Sequence, residues 1–290
     1  MRLNRFDPNN IRVGTTGGGG GFPGGGGGKV GCGTIVIALI AALVFGVDPM
    51  QTIGALGGAG DPAQIEQQAG PGENAEELCS SNQYALETCN ALSSLNQTWE
   101  RIFAEQGVPF EQPMLRFATA NQFRTGCGAA SVGMGPFYCP ADKGIYIDVG
   151  FYEQLAQMSG TGGDFARLYV VAHEYGHHVQ TITGLASQIR SAQQQNPRAA
   201  NRLQVVMELH ADCYAGVWAG RNRNLIEPGD LEEGMAAAAS IGDDTLQRNA
   251  GQRVDAESFT HGTSAQRMQA LRLGMESGDD RKCDRILQTG

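Results

Sequence analysis

The sequence predicts an α+β fold, rich in helix with a small sheet and preceded by one transmembrane helix. Three observations carry that reading. Two long segments keep helical periodicity, one through His173-Glu174-Tyr175-Gly176-His177 and one through Glu208-Leu209-His210-Ala211-Asp212. Two β-prone runs, 114–123 and 145–149, flank a glycine-rich loop bracketed by Cys127 and Cys139. Residues 30–47, VGCGTIVIALIAALVFGV, are apolar or small without a charge, near the lower limit for crossing a bilayer.

Four regions follow in chain order. Residues 1–28 end in a run that is glycine throughout 17–28 except for Phe22 and Pro23, which buries too little apolar surface to offset its ordering entropy. They read as a disordered cytoplasmic tail. Residues 29–48 read as a membrane anchor. The competing reading is a cleaved signal peptide, but the run lies behind about thirty residues of tail and closes on Asp48-Pro49 without a small-x-small cleavage site. Arg2, Arg5, Arg12 and Lys29 precede it against Asp7 alone, so the positive-inside rule keeps the N-terminus cytoplasmic. That predicts a single-pass inner-membrane protein with the part after the span periplasmic or extracellular. Residues 49–74, rich in Gly, Ala, Gln and Pro, read as a linker, and 75–290 as one folded domain.

Within that domain Leu92, Leu95, Trp99, Ile102 and Phe103 fall at helical spacing before Gly107 and Pro109, and pack as core rather than as a ligand box. Asn96-Gln97-Thr98 has the pattern of a glycosylation sequon, but on a helix it is set aside. Residues 144–148 are a candidate exposed edge that takes a peptide as an added strand, with an internal strand as the equal alternative. Asp164 is a candidate N-cap and Gly184 a candidate stop for the helix through His173. Asn196-Pro197 opens the next helix, running to about Arg221. Asp230 and Thr263 cap two more, the last running through Met275.

Seven cysteines leave six outside the apolar run. The favoured pairing is Cys79 with Cys89, Cys127 with Cys139 and Cys213 with Cys283, and reduced buried thiols are the alternative. The net charge is −9, and the first 47 residues hold four bases and one acid, so the remainder is strongly acidic. That opposes nucleic acid and anionic membrane surfaces as partners.

The chemistry is concentrated in the two helices. His173 and His177 stand four apart on one helical face, where two imidazoles can bind one Zn2+ with Glu174 beside them. Glu208 completes a His, His, Glu set that leaves a fourth position for water, and Asp212, one turn on, is the candidate partner for a ligand's outer nitrogen. Glu174 suits a general base and then acid, while His261 is the remaining candidate for an oxyanion donor, since His178 and His210 lie off the ligand faces. A backbone-bonded loop histidine is the plainer reading of His261.

The motifs HEYGHHVQ (173–180), ELHADCYA (208–215), SIGDD (240–244) and SFTHGTSAQ (258–266) together resemble the bacterial neutral zinc metallopeptidases, the YpfJ-like family, from about residue 75 to near the C-terminus. The resemblance implies a zincin-like, more narrowly gluzincin-like, membrane-tethered peptidase. Its IGDD element covers Asp243 and Asp244, for which capping or support of the site is the available role. The ExxAD element, with Thr260, His261 and Arg267, also resembles membrane-embedded zinc endopeptidases, which have several spans where this chain shows one. The expected function is hydrolysis of peptide bonds in extracytoplasmic proteins through a zinc-activated water, with a peptide or protein as substrate. The alternatives are a zinc-stabilised, non-catalytic envelope scaffold and a metal-free interaction protein. Glu174 separates peptidase from scaffold, because structural zinc needs no general base and closes its fourth position with protein.

Overall fold

The computed structural model describes residues 1–16 and 74–288. The glycine run, the apolar stretch 30–47 and nearly all of the linker lie outside the described residues. Among those described, no helix is long and apolar enough to cross a membrane.

The first sixteen residues correct the expected tail. Val13–Thr15 forms strand β1, and Phe6, Ile11 and Val13 are buried in the main core. Composition misled here because the glycine run begins only at Gly17, and the segment before it carries its own apolar positions. The amino group of Met1 lies 2.9 Å from Asp164 Oδ1 and 2.8 Å from Asp230 Oδ1.

After the linker come α1 (Ala75–Cys79) and α2 (Gln83–Gln106). Asn82 caps α2 by accepting from the Ala85 amide, and Gly107, at φ 69°, ends it in the left-handed conformation that glycine adopts without steric cost. The stripe Leu92, Leu95, Trp99, Ile102 and Phe103 is buried, as its spacing predicts.

Five strands follow: β2 (Met114–Phe117), β3 (Gln122–Thr125), β4 (Gly128–Ser131), β5 (Phe137–Cys139) and β6 (Gly144–Ile147). Four make a sheet ordered β1-β2-β6-β5, with β1, β2 and β6 parallel and β5 antiparallel, while β3 and β4 form a separate hairpin. The run 114–123 is thus two strands. Thr119 turns back to Thr16, donating its amide to Thr16 Oγ1 and its hydroxyl to Thr16 O, while Phe123 joins a second cluster stacked with Phe137 and Tyr146. β6 lies between β2 and β5, so 144–148 is an internal strand and not a free edge.

The remainder is helical: α3 (Phe151–Ser159), α4 (Asp164–Ile182), α5 (Leu185–Gln195), α6 (Ala200–Arg221), α7 (Asp230–Ser240), α8 (Asp243–Asn249), α9 (Ser264–Ser277) and α10 (Asp284–Leu287). Asp164 is the first residue of α4, with Gly163 at the cap, and Asp230 likewise begins α7. Both carboxylates face Met1 instead of capping their helices. Asn196-Pro197 opens a short 3-10 turn ahead of α6. Thr263 caps α9 as predicted, in a reciprocal box with Gln266. Helices α3, α5 and α8 were not foreseen, although α3 and α5 each turn an apolar face inward, Tyr152 and Leu155 in one and Ala186 and Ile189 in the other. All three expected disulfides, Cys79–Cys89, Cys127–Cys139 and Cys213–Cys283, are formed.

Candidate metal centre

Helices α4 and α6 cross where their backbones nearly touch. A Cβ at Gly176 would lie 2.9 Å from Ala211 O, so the glycine inside the HExxH motif sets the approach that brings His173 and His177 opposite Glu208. These three are buried or half-buried, and their donor atoms lie within 4.8 Å of one another. His173 Nε2 is 3.2 Å and His177 Nε2 3.4 Å from Glu208 Oε2.

Those spacings fit a metal. Ligands about 2.0–2.1 Å from a tetrahedral zinc stand about 3.3 Å apart, which is the separation between Glu208 and each histidine. The donor chemistry agrees. His173 Nδ1 lies 2.7 Å from Asp212 Oδ1; if that nitrogen carries the proton, Nε2 and the Glu208 carboxylate both present lone pairs and need a cation between them. Burial lowers the affinity of His173 for a proton, but the Asp212 and Glu208 carboxylates outweigh it and raise its pKa to about 10, marking the space as one that favours positive charge. The same balance holds Glu208 well below the usual carboxylate range, burial opposing and the neighbouring histidines prevailing.

Asp212 is fully buried and saturated. Its Oδ1 accepts from Tyr169 Oη at 2.6 Å and Arg267 Nη2 at 2.9 Å besides facing His173, and its Oδ2 accepts from Arg267 Nε at 2.9 Å. Arg267, on α9, is itself 2 % exposed, a buried guanidinium compensated by a bidentate carboxylate. The outer nitrogen of His177 faces a neutral partner: Nδ1 lies 2.9 Å from Gln180 Oε1, and Gln180 Nε2 donates to Met207 O on α6. Tyr169 and Gln180 were missed from sequence. A signal existed, since they stand four before His173 and three after His177 on the same helical face.

Glu174 follows His173 and is 8 % exposed; burial raises its pKa. His261 is buried in the turn before α9, where Asp243 organises the loop. Asp243 Oδ2 accepts the backbone amides of Thr260, His261 and Gly262 at 2.6–3.0 Å, and its Oδ1 is 3.1 Å from His261 Nδ1. The loop lies against α6, since a Cβ at Gly262 would meet Val205 and Leu209, and His261 is near enough to Glu208 to help depress its pKa. With Nδ1 engaged by Asp243, Nε2 is the nitrogen left for a ligand. Asp244 has the other role, accepting from the Ser264 amide at the start of α9 and pairing with Arg248.

His178 and His210 supply no donor atom to the cluster, as expected, although Gln180 Nε2 lies 3.3 Å from His210 Nδ1. His178 is wedged between Glu111 O, 2.7 Å from its Nε2, and Tyr138 Oη, 3.2 Å from its Nδ1. His210 packs edge-on against Tyr214.

The sequence profile of a family described as "Putative neutral zinc metallopeptidase" matches residues 4–286. An Escherichia coli K12 protein named "Uncharacterized protein YpfJ" is 47 % identical over 196 residues, covering 67 % of this chain and 68 % of that protein. "Uncharacterized protein Mb2605" of Mycobacterium bovis and "Uncharacterized protein Rv2575" of Mycobacterium tuberculosis are each 42 % identical over 188 residues, 60 % of this chain and 62 % of theirs. No solved structure matches.

Proposed function

The chain belongs to the neutral zinc metallopeptidase family, and on that premise we propose that it hydrolyses peptide bonds in proteins outside the cytoplasm, with His173, His177 and Glu208 as zinc ligands. The observation that carries the proposal is the spacing of the three donor atoms together with a buried carboxylate, Glu174, that no ligand role consumes. Three disulfides support the oxidising compartment.

Zinc, when bound, supplies a Lewis acid that brings the pKa of water from about 15.7 toward ~7 and polarises a carbonyl. The chain supplies the rest. Glu174 takes the proton of the attacking water and passes it to the leaving amine; burial raises its pKa, which favours its holding that proton between the two steps. Asp212, fixed by Tyr169 and Arg267, holds His173 in the tautomer that presents Nε2 to the metal. His261, when it carries both ring protons, donates from Nε2 to the developing oxyanion while Asp243 holds the other side of the ring. The substrate backbone adds beside β5, the antiparallel edge of the sheet, whose Tyr138 reaches α4 at His178.

The test compares wild type and Glu174→Gln on one peptide library at matched zinc content. The amide keeps the shape of the side chain but accepts no proton, so cleavage should fall ~10²- to 10⁴-fold with zinc retained. Equal cleavage by the two proteins would remove Glu174 from the mechanism.

A further inference from the structure

Residues 1–16 are bound to the body as an integral strand. β1 pairs in register with β2, Val13 opposite Leu115 and Thr15 opposite Phe117, and Thr16 accepts two hydrogen bonds from Thr119. Phe6 and Ile11 lie in the same core as the catalytic helix. Asn10 O accepts from Asn96, and Asn96 in turn accepts from Tyr175, the residue after Glu174. The family profile begins at residue 4, so this arm falls inside the matched region.

The arm's charges have partners on the body as well. Arg2 pairs with Glu227, Arg5 with Glu76, and Arg12 Nη1 donates to Gln112 O. Three of the four bases that read as an orienting flank for a membrane span are therefore already engaged in structural contacts of the folded domain. A strand hydrogen-bonded into a sheet shares the compartment of that sheet, because a hydrocarbon layer about 30 Å thick separates anything on opposite faces. Between Thr16 and Asn74 the sequence holds one apolar run, 30–47, and a single crossing there would put arm and body on opposite sides.

We infer that residues 1–16 and the zinc-site body lie on the same side of the membrane. This replaces the single-pass arrangement expected from the basic flank, and it holds whether or not the zinc site cleaves peptides.

The experiment uses the full chain with Cys32→Ser and, separately, Asn9→Cys or Glu276→Cys, both exposed positions. A membrane-impermeant maleimide is applied to spheroplasts before and after lysis. The two positions should show one behaviour, both labelled before lysis or both protected until it. Labelling of one with protection of the other would overturn the inference. As an independent readout, Arg5→Cys with Glu76→Cys should be joined within one chain by a short permeant bis-maleimide, and failure to cross-link would show that the arm does not dock in the full-length protein.

Discussion

Arg267 shows how far the support of a candidate zinc ligand extends. Its guanidinium meets Asp212 through two hydrogen bonds and touches Tyr169, while Asp212 faces His173, so three side chains from three helices fix one imidazole. Lysine at 267 keeps the charge but loses the planar fork. Arg267→Lys should therefore weaken zinc retention and activity together, by ~10- to 100-fold, as removal of an outer partner of a ligand typically does; a zinc titration alongside kcat checks it, and unchanged affinity would detach Arg267 from the ligand set. His261→Ala should behave differently. Losing one oxyanion donor costs ~10²- to 10³-fold in kcat, and zinc occupancy should stay as in wild type. Asp243→Asn keeps the cradle's shape but weakens its acceptors, and should lower kcat less than His261→Ala does. A loss of zinc in either protein would point to a structural role for the loop.

At the level of elements, the site depends on glycines where helices cross. A Cβ at Gly216 would come within 2.1 Å of Leu271 O, and one at Gly274 within 2.0 Å of Cys213 O, so α6 and α9 have no room for a methyl group between them. That crossing sets the distance between Glu208 and Asp212 on α6 and Arg267 on α9. Gly274→Ala must spread the pair, and overpacking of this kind costs about 1–3 kcal/mol or more. Thermal unfolding should show a lower midpoint and zinc affinity should fall with it; an unchanged midpoint would mean that the helices slide apart freely. The main helices were legible because their apolar stripes and stop or cap signals are local, as Gly107 and Thr263 illustrate. Both halves of the candidate ligand set, which the fold brings together, could be picked out for the same reason, being spaced within single helices. Strand partners were not. That β6 is internal depends on β2 and β5 lying on either side of it, and β1 depends on chain contacts a hundred residues away, which no short-range periodicity reports.

For the molecule as a whole, two buried histidines outside the site make stability depend on pH. Burial lowers the pKa of His178 to about 4 despite its bond to Glu111 O, and burial does the same to His210, with the charge of His177 adding to it. In the unfolded chain each titrates near ~6.5. Between those values the unfolded state binds more protons than the folded one, so stability is complete above about pH 6.5 and falls as the pH drops toward 4. Each histidine contributes a slope of ~1.4 kcal/mol per pH unit in that window. The carboxylates held low, Asp212, Asp243 and Glu208, act further down, since their stabilisation is lost only as pH falls below their unfolded values near 4. His210→Phe keeps a ring against Tyr214 and removes one titrating group, and His178→Gln removes the other. Denaturant unfolding from pH 7 to 5 at fixed excess zinc should give a shallower fall for each variant than for wild type, by about one histidine's slope, with the zinc contribution common to all three proteins. Parallel curves would mean that the two rings already accept protons in the folded state, and that the acid sensitivity of this fold arises from its carboxylates and zinc ligands alone.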